Sequence, residues 1–166
     1  MLDRLQQHLQ DHILDLKGEW ISKRSSYEVG ICRILKMTTG QNTYWDAVWD
    51  GNPLEFKKGH SIWLNLVRYS KMLLGCDEVA CKEVHTLFFL PNIGKSHIEN
   101  IILVEAKALM KATLLTKTEA RALLAIEQCR PGKFNAQARL TVKEVKDIST
   151  FIVSFNADHS SKYKGK

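Results

Sequence analysis

The sequence predicts an α/β fold, in which a single domain has a mixed central β-sheet flanked by helices. The chain of 166 residues has the length of one ordinary domain, with the 45% hydrophobic and 25% charged residues of a globular protein. Segments with helical periodicity alternate with short apolar runs that suit buried strands. No internal repeat or Pro/Ser-rich linker divides the chain, so residues 1–166 are interpreted as one domain.

Two helices are predicted before the first strand. The apolar residues of the first segment recur at spacings of three and four, which indicates one apolar stripe: Leu2, Leu5, Leu9, Ile13 and Leu16. This N-terminal helix, within residues 1–18, either covers the sheet or packs on a second copy of itself as a dimerisation element. A second helix is predicted from Ser25, which with Glu28 fits a capping box.

A β-hairpin and a third helix follow. The hairpin has a strand near residues 43–49, a turn at residues 50–53 and a second strand over residues 54–58. After Gly59 the pattern becomes helical, with Ser61 as the expected N-cap. Apolar residues from 62 to 73 fall on one face, and Gly75 is the expected C-cap.

The remaining elements complete the alternation of strands and helices. Residues 84–91 and 98–106 are almost wholly apolar runs, typical of strands buried on both faces. A helix is predicted over residues 117–129, where Thr116 and Glu119 fit a capping box and a Pro-Gly pair follows. Residues 138–155 show strand-like alternation, including a basic strand at residues 139–145.

The net charge and the cysteines limit which cellular compartment and which partners are expected. The net charge of +6 suits a polyanionic partner without proving one, and the basic tail at residues 158–166 is expected to be flexible. No apolar run approaches the roughly 20 residues that span a bilayer, and the N-terminus is too charged for a secretory signal. The four scattered cysteines indicate free thiols. We therefore expect a cytoplasmic protein with no membrane partner.

The hairpin carries charges where a core strand would carry valine. Glu55 and Lys57, two residues apart on one strand, share a face, while Leu54 and Phe56 share the other. Asp46 lies on the partner strand, within reach of the charged face. Two carboxylates held close together destabilise the fold unless a cation lies between them, and their oxygens suit magnesium. The alternative is a solvated hairpin that carries charges with no further role.

This pattern of an Asp-Ala-Val triplet from Asp46, a turn and then Glu-hydrophobic-Lys resembles the PD-(D/E)xK nuclease superfamily. Within that superfamily it most resembles small homodimeric type II restriction endonucleases. The resemblance implies a restriction-endonuclease-like fold, Asp46, Glu55 and Lys57 as the catalytic residues, and Mg²⁺ held by Asp46 and Glu55. The backbone carbonyl of Phe56 is expected to add a hard oxygen ligand to these two carboxylates. Its strong part covers residues 44–59. Trp45 replaces the proline that names the superfamily, and a histidine-rich insertion common in such enzymes is missing, so no base-reading residue is carried over.

Accessory and DNA-binding residues have alternative interpretations. Glu28 is either an accessory carboxylate aimed at the metal or only a helix cap, and His60 lies either near the scissile phosphate or in a local hydrogen bond. Two polar loops, residues 92–97 and 129–139, either contact DNA or are ordinary connections. The candidate DNA-binding residues are Lys58, Lys95, Arg130, Lys133, Asn135, Gln137 and Arg139. His85 and His97 stand too far apart, without partners at ligand spacing, to predict a zinc site.

Three hypotheses for function follow. The first is a Mg²⁺-dependent, sequence-specific endonuclease that acts on double-stranded DNA as a homodimer, with one site for each strand. The second keeps this core but acts as a Holliday-junction resolvase or a homing endonuclease. The third is a non-catalytic DNA-binding module, and only the acidic pair beside a lysine separates the first two from it.

Overall fold

A mixed β-sheet between two layers of helices forms the centre of the protein. The computed structural model describes residues 1–16, 27–40, 44–76, 83–94 and 97–155. In chain order the elements of these ranges are α1 (Leu2–Leu16), α2 (Tyr27–Leu35), β1 (Thr38–Thr39), β2 (Ala47–Trp49), β3 (Asn52–Lys58), β4 (Ile62–Asn65), α3 (Leu66–Leu74), β5 (His85–Pro91), β6 (Ile98–Val104), α4 (Ala106–Ala112), α5 (Lys117–Cys129), β7 (Gln137–Leu140), α6 (Val142–Asp147) and β8 (Phe151–Ser154). The predicted α/β class is confirmed.

The sheet combines antiparallel and parallel pairs. Within the described ranges, six strands lie in the order β1-β2-β3-β5-β6-β8, and β4 and β7 form a separate two-stranded antiparallel ribbon. β2 and β3 pair as the predicted hairpin, and β3 then pairs in parallel with β5, with Glu55 opposite Thr86. β5, β6 and β8 continue the sheet with antiparallel pairs.

Two hydrophobic clusters cover the two faces of the sheet. On one face, the predicted stripe of α1 packs with α2 against residues such as Leu54, Phe56 and Leu87. Four of the five stripe residues are fully buried, and Leu2 is partly buried. On the other face, Tyr69 of α3 and Leu109 of α4 belong to a second cluster with strand residues of β5 and β6. Every residue of β5 is buried because helices lie on both of its faces. The stripe of α1 is thus used to cover the sheet, and a role in dimerisation stays a prediction.

Several helix boundaries agree with the sequence analysis. Thr116 and Glu119 form the predicted capping box at the start of α5. Gly75 ends α3 in the left-handed conformation, with a φ of 64° that favours glycine. Ser25, the predicted cap of α2, lies outside the described residues. Among the helices of the described ranges, none combines the length and apolarity needed to cross a bilayer.

Residues 62–65 form a strand, so the helix predicted directly after Gly59 is wrong in its first turn. Ile62 and Leu64 are buried while Trp63 between them is exposed, which is the period of two of a strand that packs one face. Asn65 rather than Ser61 caps α3, because its side-chain oxygen accepts hydrogen bonds from the backbone N–H groups of Val67 and Arg68. Tertiary pairing with β7 decides this local structure.

The basic strand predicted over residues 139–145 is shorter than expected. β7 ends at Leu140, and Thr141 caps α6 through a second capping box with Glu144. The Thr-x-x-Glu signature was present in the sequence, but the apolar alternation around it favoured a strand. The first strand of the hairpin is also shorter than predicted, since β2 begins at Ala47 and leaves Asp46 outside it.

Candidate nuclease site

The predicted alternation of β3 is confirmed. Leu54 and Phe56 are 0% and 3% exposed and belong to the core between the sheet and α1 and α2. Glu55 and Lys57 point to the opposite face, where their side chains are 20% and 28% exposed. Their charged groups are therefore partly withdrawn from water but accessible to a ligand.

The carboxylate of Asp46 is fixed against the edge of β3. The backbone N–H of Asp46 donates to the carbonyl of Leu54 at 3.0 Å. Asp46 Oδ2 accepts a hydrogen bond from the backbone N–H of Phe56 at 2.7 Å. Because β2 begins only after Asp46, this side chain occupies the position where a longer strand would have paired with Phe56. The two bonds hold one carboxylate beside the strand that carries Glu55 and Lys57.

Gly40 allows the chain to approach this position closely. Its backbone N–H donates to the carbonyl of Asp46 at 2.8 Å. A Cβ atom at residue 40 would lie 2.3 Å from the carbonyl oxygen of Trp45, which is far closer than atoms can approach. A side chain here would push away the segment that carries Asp46.

The backbone carbonyl of Phe56 faces the same side of β3 as its N–H. The hydroxyl of Tyr27, at the start of α2, donates to this carbonyl at 3.4 Å. Helix α2 thereby brings Tyr27 and its neighbour Glu28 to the edge where Asp46 lies. The carbonyl predicted as a metal ligand thus lies on the same edge of β3 as Asp46, and it has a second lone pair besides the one that Tyr27 contacts.

Electrostatic coupling connects the carboxylates of this region. Burial raises the pKa of Asp46, the hydrogen bond from Phe56 opposes this, and the charges of Glu55 and Glu28 raise the pKa further. Burial and then the neighbouring carboxylates also raise the pKa of Tyr27. A cation placed among these groups would stabilise their charged forms.

Glu55 is balanced by two cations. Arg68 of α3 forms an ion pair with Glu55 through Nη1 and Oε2, and its side chain is only 10% exposed. Lys57 Nζ lies 3.6 Å from Glu55 Oε1. Arg68 was not predicted as a site residue, because nothing in its own segment indicates that it contacts Glu55 on β3. We refer to Glu28, Asp46, Glu55, Lys57 and Arg68 as the hairpin site.

Two further predicted residues make contacts within the protein. The Nε2 atom of His60 lies 3.1 Å from the carbonyl oxygen of Pro91, as expected of a hydrogen-bonding histidine, and its place near the scissile phosphate stays a prediction. Lys58 has its Nζ 4.2 Å from the ring centroid of Tyr27, a cation–π contact. Lys58 therefore packs on the face of β3 opposite to Lys57.

The β4–β7 ribbon presents several of the predicted DNA-binding residues together. Gln137 and Arg139 lie on the exposed face of β7, opposite Asn65 and Trp63 of β4. Trp63 is 45% exposed, which is unusual for an indole. Three other predicted residues are exposed in the loop before β7, namely Arg130, Lys133 and Asn135. Lys95 lies outside the described residues. Trp63 was not predicted as a surface residue of a strand, because its segment was expected to be helical.

A second cluster brings together Glu83, His85 and Glu105, which we call the histidine cluster. One ligand atom from each lies within 4.8 Å of the others, so these residues could hold a metal ion; no other such group of three is present in the described ranges. His85 Nδ1 accepts a hydrogen bond from the backbone N–H of Ala106 at 3.2 Å. A cation at this nitrogen must displace that N–H. Glu83 lies only two residues before His85, but Glu105 comes from the chain after β6, so spacing in the sequence did not reveal the cluster of three.

The hairpin site is therefore a set of carboxylates and cations at the edge of a β-hairpin, and the β4–β7 ribbon is a separate surface with an exposed arginine and tryptophan. No family model and no curated protein matches the chain in sequence. A function must consequently be inferred from the chemistry of these residues.

Proposed function

We propose that the protein is a Mg²⁺-dependent endonuclease that hydrolyses phosphodiester bonds in double-stranded DNA at a specific sequence, as the resemblance to the PD-(D/E)xK superfamily implies. One observation carries the proposal. Asp46 is held by the backbone N–H of Phe56 on the strand that presents Glu55 and Lys57 to one face. Acidic residues repel DNA unless a metal lies between them and the phosphate.

The donor atoms of the hairpin site fit magnesium. One oxygen of Asp46 is engaged by the N–H of Phe56, which leaves the other for a cation. Glu55 and the carbonyl of Phe56 add hard oxygen donors, which Mg²⁺ prefers, with water as the remaining ligands. Glu28 interacts electrostatically with Asp46 and would serve as an accessory carboxylate. Bound Mg²⁺ would lower the pKa of a coordinated water and neutralise charge on the phosphate.

Lys57 supplies the cation that the chain itself contributes to the reaction. Its ammonium group lies 3.6 Å from Glu55 Oε1, and its side chain is 28% exposed, so it stays within the site but can contact a ligand. In this position it would orient the attacking water by hydrogen bonding and stabilise the negative charge that develops on the phosphate.

The exposed ribbon supports DNA as the substrate. Arginine pairs with guanine and glutamine with adenine in the major groove, and Arg139 and Gln137 lie side by side on the exposed face of β7. Trp63 adds an apolar surface next to Arg139. A homodimer would apply two hairpin sites, one to each strand of a palindromic sequence.

A non-catalytic DNA-binding module is the second candidate, and one observation favours it. The ion pair between Arg68 and Glu55 already neutralises Glu55, so this carboxylate does not require a metal for charge balance. Such a module would bind duplex DNA with a steep dependence on salt concentration but would not cut it.

Incubation of the purified protein with a large plasmid, with and without Mg²⁺, tests the proposal. Discrete fragments only in the presence of Mg²⁺ are expected, with ends that identify the target sequence. Intact DNA under conditions where the protein binds it would overturn the proposal in favour of the binding module. Cutting of four-way junctions regardless of sequence would instead identify a resolvase, and a single long asymmetric target a homing endonuclease.

A further inference from the structure

The ion pair of Arg68 leaves donors of this side chain unused. The guanidinium group has five N–H donors in a fixed planar arrangement. Nη1 contacts Glu55, but the Nε atom is buried and has no hydrogen-bond partner. Because a buried donor without an acceptor destabilises a protein, this arrangement is poorly explained by stability alone.

A second buried polar atom without a partner lies next to Glu55. Thr86 stands directly opposite Glu55 in the parallel pair of β3 and β5, and in such a pair both side chains point to the same face. Thr86 is 1% exposed, and its Oγ1 makes no hydrogen bond. The Glu55 face therefore contains two buried polar groups, each capable of donating to a ligand.

The hydrogen-bond donors on this face select the ligand. Lys57 and Arg68 both lie beside Glu55. In the hairpin site as a whole, three carboxylates stand against these two cations, so the paired donors rather than the net charge determine which anion binds. Guanidinium groups bind tetrahedral phosphate oxygens through paired N–H donors. An anion with several oxygens could accept from Arg68 and Lys57 together.

We propose that Arg68 and Lys57 form a phosphate-binding site, in which Arg68 exchanges its bond to Glu55 for a bond to a phosphate oxygen. This inference builds on the proposed function, since it identifies the phosphate of the DNA backbone as the group that Arg68 contacts. Glu55 acts as the competing anion in the absence of a phosphate. A metal bound by Glu55 would weaken the ion pair between Glu55 and Arg68 and so favour transfer of the guanidinium group to the phosphate.

Binding of inorganic phosphate to the intact, metal-free protein tests the proposal without DNA. Affinity is measured from the rise of Tm with phosphate concentration, in EDTA and at constant ionic strength. Arg68→Met, which keeps the apolar length of the side chain, is expected to weaken phosphate binding by about tenfold, the loss that follows removal of a charged hydrogen bond. Arg121→Ala, which removes an exposed arginine of α5, is the matched control and is expected to bind phosphate as the parent does.

Glu55→Gln provides an opposite and independent result. This substitution removes the competing charge but leaves Arg68 and Lys57 in place, so phosphate is expected to bind several-fold more tightly than to the parent. If Glu55→Gln bound phosphate no better than the parent, the proposal would be overturned, even if Arg68→Met did not fold. Arg68→Lys, which keeps the charge but not the planar fork, is expected to lie between the parent and Arg68→Met.

The outcomes separate this inference from the proposed function. Phosphate binding that depends on Arg68 in a protein that never cuts DNA would retain the site and overturn the nuclease. Cutting of DNA by a protein whose phosphate affinity is unchanged in Arg68→Met would retain the nuclease and overturn the role of Arg68.

Discussion

The hairpin site and the histidine cluster both bring carboxylates together, but they differ in their positive charges. In the hairpin site, Lys57 and Arg68 lie beside Glu55. In the histidine cluster, neither Glu83 nor Glu105 forms an ion pair within the described residues, and the backbone N–H of Ala106 points at His85. A set of ligand-type atoms can hold a metal, but phosphate chemistry also needs cations that face the substrate. The comparison therefore assigns the proposed nuclease chemistry to the hairpin site.

The largest expected effect is on the rate of DNA cutting, which should depend on the hairpin site and not on the histidine cluster. Lys57→Ala is expected to lower the rate of Mg²⁺-dependent DNA cutting by about 10²–10³-fold, the usual loss when one preorganised donor to the transition state is removed. Single-turnover cutting of plasmid DNA measures the rate, and circular dichroism checks that the fold is retained.

The matched control lies in the histidine cluster. Glu105→Gln removes one of its carboxylate ligands and keeps an acceptor for the hydroxyl of Thr150, which bonds to Glu105 at 2.8 Å. This variant is expected to cut DNA at the parental rate. Loss of cutting in Glu105→Gln with normal cutting in Lys57→Ala would reverse the assignment of the two sites.

The second prediction concerns the β4–β7 ribbon, which the proposal assigns to DNA binding. Trp63→Ala is expected to weaken binding of duplex DNA by about 1–2 kcal/mol, because exposed tryptophans often dominate an interface. Fluorescence anisotropy with Ca²⁺ in place of Mg²⁺ measures the affinity. Ile126→Ala on α5, where the side chain is similarly exposed at 44%, is the control and is expected to bind normally. Equal losses in both variants would remove the ribbon from the DNA interface.

A third, smaller effect tests the extent of the hairpin site. Glu28→Gln is expected to raise the Mg²⁺ concentration needed for half-maximal cutting by about tenfold. This is a typical loss for a group that supports a metal without binding it directly. The dependence of the cutting rate on Mg²⁺ concentration measures the effect. An unchanged dependence would restrict Glu28 to the start of α2, as the capping interpretation holds.

The smallest effect is a change of stability with pH. Because burial and the neighbouring carboxylates raise the pKa of Asp46 above its ordinary value of 3.8, the folded protein holds this proton more tightly than the unfolded chain. Stability is consequently lost as the pH rises through the window between the unfolded and the folded pKa. Asp46→Asn stays neutral and retains an acceptor for the N–H of Phe56. In EDTA, it is expected to be more stable than the parent at neutral pH and equal to it below this window.

Urea unfolding between pH 3 and pH 8 would measure this difference. Addition of Mg²⁺ is expected to stabilise the parent and not Asp46→Asn, since the variant lacks one charged ligand. A parent that is more stable than the variant in EDTA at neutral pH would show that Asp46 is satisfied without a cation, and would weaken the metal site.

Local patterns in the sequence account for much of the fold. Helix α1 follows from a leucine stripe at helical spacing, and β5 from an uninterrupted apolar run. The capping box at Thr116 places the start of α5, because it satisfies backbone groups within four consecutive residues. The start of α3 was predicted incorrectly, since the pairing of β4 with β7 joins segments far apart in the chain.

The candidate site likewise has a part that local sequence patterns predict and a part that depends on tertiary packing. The sequence by itself determined that Glu55 and Lys57 share a face and that Asp46 lies nearby, because strand alternation and a short hairpin are local properties. Only the tertiary structure decided that Arg68 pairs with Glu55, that Trp63 lies opposite Arg139, and that Glu105 lies near His85. These contacts depend on the packing of elements that are distant in the chain, and no periodicity within one segment encodes such packing.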